Sequence, residues 1–341
     1  MRAMVLNEIS QLDESEKPLH LTDVNINDPI DNEILIKVSV CGVCHTELDQ
    51  IEGRVEPTIL PVIPGHQIIG SVSKAGPDAK RFKTGDRVGV AWISSACGNC
   101  TFCQNGNENL CPHFSSTGRD VNGGYAEYHL ANENFVYPIP GSLDDITAAP
   151  LLCAGSIGYR SLMLTGVTDG DSIGLMGFGA SGHIVIKIIR NLYPNSDIYV
   201  FSRNKSERKL AIELGAVWAE EIEEQTPQKL NAIIDTTPVW KPVIESLKNL
   251  LPSGRLVINA IRKESTDLDY FNNLDYSEHL WMEKEIKSVT NITRYDVSNF
   301  LHLAEELEIK PIVHHYNLEN ANDALSDLKF GKKTGAKVLI I

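Results

Sequence analysis

Hydrophobic and polar positions change rhythm near residue 150. Before it, short β-branched runs recur at 34–38, 68–72, 87–91 and 125–129, separated by Gly, Pro and Asp turns. Such runs predict strands of an irregular β-rich domain. After Pro150, short apolar runs alternate with helical stretches. Strands are expected at 172–176, 198–201, 232–234, 255–260 and 287–291, and helices at 181–192, 205–214 and 297–307. In the first of these helices Ile184, Val185, Ile188, Ile189 and Leu192 recur at helical spacing. Strands alternating with helices predict βαβ units around a parallel sheet, hence an α/β chain with a β-rich part. The closing run at 338–341 reads as a strand that could join the sheet of either domain.

The chain has 341 residues, a length that suits two domains. Lys plus Arg number 31 against 45 Asp plus Glu, a net charge of −14, and no basic run interrupts this balance. Nucleic acids and anionic membranes attract positive patches, so neither is expected as a partner. No apolar run approaches the roughly 18 to 20 residues that span a bilayer, and the first ten residues lack the core of a signal peptide. A cytoplasmic protein with reduced thiols is expected. The seven Cys form an odd count, which cannot close completely into disulfides.

Four of them, Cys97, Cys100, Cys103 and Cys111, lie in one segment within a lobe at 94–113. Such short spacing suits a tetrahedral Zn²⁺ with no open position, a structural site. An iron–sulfur site is the other reading, although ferredoxin-type runs close with three residues before the last Cys rather than seven. Cys44, His66 and Cys153 could supply the Cys₂His set of a catalytic zinc, which keeps one position open. A lone Cys such as Cys153 is equally often a small core residue.

A third pattern, Gly177-Phe-Gly-Ala-Ser-Gly182, follows an expected strand and opens an expected helix. In that setting G-x-G-x-x-G is a dinucleotide fingerprint, with Gly177, Gly179 and Gly182 allowing the turn and the approach of a pyrophosphate to the helix N-terminus. NAD-binding folds usually place an acid near the end of the next strand. Here Ser202 and Arg203 stand there, with Lys205 and Arg208 nearby. A hydroxyl beside cations favours the 2′-phosphate of NADP over NAD.

Cys41-Gly-Val-Cys-His-Thr-Glu47, Pro64-Gly-His66, the four-Cys lobe, Gly123-Gly-Tyr-Ala-Glu127 and Cys153 occur in an order that resembles zinc-dependent medium-chain alcohol dehydrogenases. The resemblance runs nearly the whole chain, and the Ser-Arg pair is similar to the NADP-using, cinnamyl-type branch. It implies a GroES-like β-rich catalytic domain at 1–152 and 293–341, and a Rossmann doubly wound parallel-sheet domain at 153–292. It also implies two zinc ions per chain, with Cys44, His66 and Cys153 as catalytic ligands and Cys41 unused. Thr46 takes the place of the hydroxyl that begins the proton relay, His45 of a pyrophosphate contact and Trp92 of a substrate-pocket residue. Three departures stand out: Gln67 in place of an acid, Glu47 in place of Asp, and Asp49 where some relatives carry a relay His.

The implied activity is hydride transfer between a primary aliphatic or aromatic alcohol or aldehyde and NADP(H), or NAD(H) as the alternative. A zinc- and nucleotide-binding sensor or scaffold without turnover is the reading from another class. Relatives form dimers or tetramers through the edge of the Rossmann sheet, which makes 285–292 the expected interface strand of a homodimer or homotetramer.

Overall fold

The strand Glu33–Val43 organises the first part of the computed structural model, which describes residues 1–13, 17–179, 181–331 and 335–341. Ile34, Ile36 and Val38 alternate into the core, as a half-buried strand requires. It pairs antiparallel along one edge with Ile68–Ala75. Along the other edge its start meets Tyr128–Asn132 and its end meets Ala336–Ile340. Arg87–Val90 and Val136–Pro138 extend the sheet on one side and Val313–Asn317 closes it on the other, giving seven strands. The closing strand therefore belongs to this sheet. The last residues of Glu33–Val43 are buried whatever their parity, and they deliver the chain into the helix His45–Ile51.

The chain divides into Met1–Ser156 with Ile292–Ile341, and Ile157–Asn291. The first junction thus falls after Ser156 rather than after 152, and Cys153 sits with the β-rich unit. The second unit holds six parallel strands in the order Trp218–Glu220, Ile198–Phe201, Ile173–Met176, Leu230–Asp235, Leu250–Ile258, Glu285–Ser288. The order reverses between Ile173–Met176 and Leu230–Asp235, the switch point of a doubly wound Rossmann sheet. Ile184, Val185, Ile188 and Ile189 of the helix Gly182–Leu192 are fully buried, as their spacing predicts.

Some expectations are corrected. The strand expected at 125–129 is Tyr128–Asn132; Tyr125 instead accepts a hydrogen bond from Met4 N through its carbonyl. The strand expected at 287–291 is Glu285–Ser288. The helix Lys241–Asn249 and the strand Trp218–Glu220 have no counterpart among the expected elements.

A buried ion pair closes the second sheet's C-terminal edge. Asp235, fully buried, pairs with Lys263 and accepts from Thr237 N at 3.0 Å and Thr237 Oγ1 at 2.7 Å. Lys263 Nζ also donates to the carbonyls of Thr237 at 2.7 Å and Val239 at 3.0 Å. Removing one partner of such a pair leaves a charge without compensation. Lys263→Met is therefore predicted to lower unfolding free energy by about 3 to 5 kcal/mol, measured by urea denaturation, and adding Asp235→Asn to restore much of it. An unchanged midpoint in the single variant would show that the pair does not hold this edge.

Candidate metal centres and nucleotide site

Cys44 occupies the extended N-cap position of the helix His45–Ile51. Glu47, three residues on and fully buried, closes the cap: its Oε2 accepts from Cys44 N at 2.8 Å. Its other oxygen pairs with His66 Nδ1. One carboxylate therefore positions two candidate ligands, and the longer side chain in place of Asp does reach the histidine. Burial raises the Glu47 carboxyl above its ordinary range, and the His66 ring opposes that rise.

His66 follows Gly65, whose φ of 100° lies in the left-handed region. A Cβ on Gly65 would fall 2.4 Å from the Tyr125 ring, so glycine is needed twice over. The third candidate ligand, Cys153, lies in Leu151–Gly155, a turn of wide π-helix, a geometry frequent at functional sites.

These three residues converge, with candidate ligand atoms all within 4.8 Å of one another and the Cys44 and Cys153 sulfurs 4.0 Å apart. Tetrahedral zinc with Zn–S bonds of about 2.3 Å separates its ligands by about 3.8 Å, so the set fits that ion. His66 Nε2 supports the fit: among the described residues it is buried without a hydrogen-bond partner, while Nδ1 is held by Glu47. Such an imidazole, oriented through one nitrogen and free at the other, is what a metal ligand requires. Cys44 is drawn well below the usual thiol range, first by the Cys153 thiol and then, against burial, by His66. Cys153 is pushed well above it, by the Cys44 sulfur beside it and by burial. Burial works against charge on His66, but Glu47 and Cys44 raise it to about 10.

Around this trio, Thr46 Oγ1 lies 3.6 Å from Cys44 Sγ, and the Trp92 ring meets His66 edge-on at 4.9 Å. Both side chains are buried, whereas His45 is exposed on the first turn. Asp49 is not a free substitute for a relay histidine, because its Oδ1 accepts from Arg54 Nε at 2.5 Å. Gln67 is buried against Gly42. Cys41 is fully buried and belongs to neither cysteine group.

Cys97, Cys100, Cys103 and Cys111 form the second group. Cys97 and Cys103 sulfurs lie 3.9 Å apart, and Cys111 Sγ accepts from the backbone of Cys97 at 3.5 Å and His113 at 3.4 Å. Backbone N–H groups of Asn99 and Cys100 lower the Cys97 thiol to about 6, while desolvation and the neighbouring thiols push Cys103 up to about 12. Four thiols with no open position fit a structural zinc.

In the second unit, the strand Ile173–Met176 leads into Gly177, at φ 86°, and the helix Gly182–Leu192. Gly182 packs on the Gly177 carbonyl, and space is open above Gly179. Ala180 lies outside the described residues. At the end of Ile198–Phe201, Ser202 is buried and its Oγ donates to Glu207 Oε2 at 2.6 Å. Arg208 donates to the Ser202 carbonyl at 2.7 Å and pairs with Glu221 at 3.3 Å. Arg203 and Lys205 are exposed. Reading the strand end alone misses Glu207: an acid is present, reached one turn into the next helix. Its only trace in the sequence is its place in the first turn of Lys205–Glu213.

The alcohol dehydrogenase GroES-like domain model matches residues 30–141. The probable alcohol dehydrogenase AdhA of Mycobacterium tuberculosis is 39% identical over 95% of this chain and 93% of its own. A cinnamyl alcohol dehydrogenase from Sorghum bicolor superposes with a TM-score of 0.81 at 25% identity, covering 94% of each chain. A Helicobacter pylori structure described as complexed with NADP(H) gives 0.84 at 23% identity, covering 100% of this chain and 99% of that one. A relative this similar over almost the full length, together with the fold and both cysteine groups, makes the chain a member of the zinc-dependent medium-chain alcohol dehydrogenase family.

Proposed function

We propose that the chain interconverts primary aliphatic or aromatic alcohols and their aldehydes with NADP(H), holding one zinc at Cys44, His66 and Cys153 and a second at Cys97, Cys100, Cys103 and Cys111. Family membership makes it an alcohol dehydrogenase-type oxidoreductase that works with zinc and a nicotinamide cofactor. The observation that carries the finer reading is the convergence of two thiols and an unpartnered imidazole nitrogen beside Thr46. Three ligands leave the fourth position for a substrate oxygen. When bound, zinc supplies Lewis-acid polarisation at that position and the nicotinamide supplies hydride chemistry at C4.

The chain's own residues hold and move the rest. Glu47 fixes the His66 tautomer, with Nε2 turned to the ligand position. Thr46 Oγ1 takes the hydroxyl proton of an alcohol, or returns it to an aldehyde oxygen, and Trp92 covers His66 on the apolar side. Asp49, already paired with Arg54, is a poor acceptor, so the onward proton path runs through the cofactor ribose or water.

Arg203 and Lys205, exposed beside the strand end, are the groups proposed to receive a 2′-phosphate. A second reading, NAD(H), is favoured by one observation. The Glu207 carboxylate on Ser202 Oγ brings a negative charge to the place where NAD-binding folds hold the ribose hydroxyl.

Assembly as a homodimer or homotetramer is proposed through Glu285–Ser288, the edge strand of the second sheet, every residue of which is exposed. Ile286 on that strand and Trp281 just before it are 49% and 54% exposed, an apolar edge that pairing would cover. A cytoplasmic location is proposed because the cysteines are unbridged and six of the seven cluster as candidate metal ligands, the usage of a reducing compartment. Among the described residues no helix is long and apolar enough to cross a membrane.

Metal analysis of the purified chain is predicted to give two zinc per chain. Cys44→Ser or Cys153→Ser should leave one and lose turnover, and Cys41→Ala should keep both. A single zinc confined to the lobe would favour the non-catalytic scaffold instead. In steady-state kinetics, kcat/KM with NADPH should exceed that with NADH, and Arg203→Ala should cut the NADPH value by about tenfold or more, the worth of a charge-assisted hydrogen bond. Equal or better rates with NADH would sink the NADP(H) assignment and leave the NAD(H) one.

A further inference from the structure

We infer that the four-cysteine lobe positions the three-ligand site, and that Glu108 and Arg294 are the positioning residues that carry its hold. The inference rests on the assignment of zinc to both cysteine groups.

Glu108 lies between Cys103 and Cys111, in the short helical turn Glu108–Leu110. Its side chain is only 3% exposed, although it carries no candidate metal bond. Its Oε1 accepts from the backbone N of Arg294 at 2.8 Å and from Arg294 Nε at 3.0 Å. Arg294 is the first residue of the helix Arg294–Glu306, whose cap is closed separately by Thr293 and Asp296. The carboxylate thus meets both a guanidinium and the positive end of a helix, two reasons to keep it where it is. The Arg294 guanidinium also stacks over the Phe135 ring at 4.9 Å.

The same helix reaches the other metal group. Phe300 is fully buried and its ring sits where a side chain on Gly155 would be, since a Cβ there would fall 2.2 Å from Phe300 Cε1. Gly155 ends the wide turn that carries Cys153. A second route runs through rings. Ala96 and Phe114, which flank the cysteine segment, pack with Trp92, Ile93 and Phe135, and Trp92 lies edge-on against His66. The lobe therefore bears on two of the three candidate ligands through packed side chains rather than through distance alone.

A metal in the lobe fixes the backbone around Glu108. Glu108 fixes the start of Arg294–Glu306, and Phe300 presses the Cys153 turn into place. Without that hold, the Cys153 turn loses the ring packed on Gly155, one of the contacts that keep its sulfur 4.0 Å from that of Cys44. Cys41 supplies an internal control, since it is fully buried and lies in neither metal group.

The zinc-loaded full chain is challenged with EDTA and iodoacetamide, and alkylation of each cysteine is followed by peptide mass spectrometry. Glu108→Gln and Arg294→Met are expected to speed alkylation of Cys44 and Cys153 by roughly 2- to 30-fold, with Cys41 unchanged. Arg294→Lys, which keeps the charge and the backbone bond, should fall between them and the unaltered chain. Phe300→Leu, which leaves the lobe untouched, should speed Cys153 in the same way and stands in should the first two variants fold poorly. Unchanged protection of Cys44 and Cys153 in the zinc-loaded variants overturns the inference, as does a rise at Cys41 in step with them. If metal analysis of the unaltered chain gives one zinc, confined to the lobe, no metal is held at Cys44, His66 and Cys153, and the metal assignment falls together with the inference.

Discussion

One buried carboxylate sets the geometry on which the chemistry depends. Glu47 accepts from the backbone of Cys44 with one oxygen and holds His66 Nδ1 with the other. A charge at such a depth is costly unless each oxygen is satisfied, and here both are. The same contact caps a helix, orients an imidazole and fixes where the Cys44 sulfur begins. Replacing Asp by Glu at this place lengthens the arm without releasing the histidine. The departure therefore changes how the ligand is held, not whether it is.

The two units meet their constraints by different means. In the β-rich unit the strand Glu33–Val43 is paired along both edges and ends directly in the turn that carries Cys44, so the candidate site inherits the rigidity of a central strand. In the second unit the constraint is the loop layer at the C-terminal ends of the parallel strands. Lys263 ties the chain after Leu250–Ile258 to the chain after Leu230–Asp235 through Asp235 and two carbonyls. Thr236, beside that pair, donates to the Met176 carbonyl just before Gly177. The glycine turn is thus backed by a hydrogen-bonded layer rather than by its own strand alone.

Much of this was legible in the residues. The cysteine lobe declares itself because its ligands are close in sequence and of one chemical type, and the glycine motif because a strand and a helix flank it. The Cys44, His66 and Cys153 set needed the family resemblance, since Cys153 alone is an ordinary core residue by type. Three features could not be read. Glu207 lies within a helix, beyond the strand end where an acid is sought, and only the fold turns it back onto Ser202. Asp49 and Arg54 read as separate polar positions until the turn after His45–Ile51 brings them together. Glu108 and Arg294 are 186 residues apart, and no local pattern links a carboxylate in a cysteine-rich loop to the first turn of a distant helix.

The placement of Ala336–Ile340 beside Glu33–Val43 has a bearing on assembly during synthesis. The strand that leads into Cys44 is paired near its end with one made almost three hundred residues later. The second unit, by contrast, is drawn from one uninterrupted stretch, 157–291. During synthesis the second unit's sheet therefore has all its strands while the sheet of the β-rich unit still lacks two, Val313–Asn317 and Ala336–Ile340. Until Ala336–Ile340 arrives, the edge next to Cys41, Gly42 and Val43 is an unpaired strand, a template for pairing with another chain. The strand that leads into Cys44 thus gains its last partner only with Ala336–Ile340.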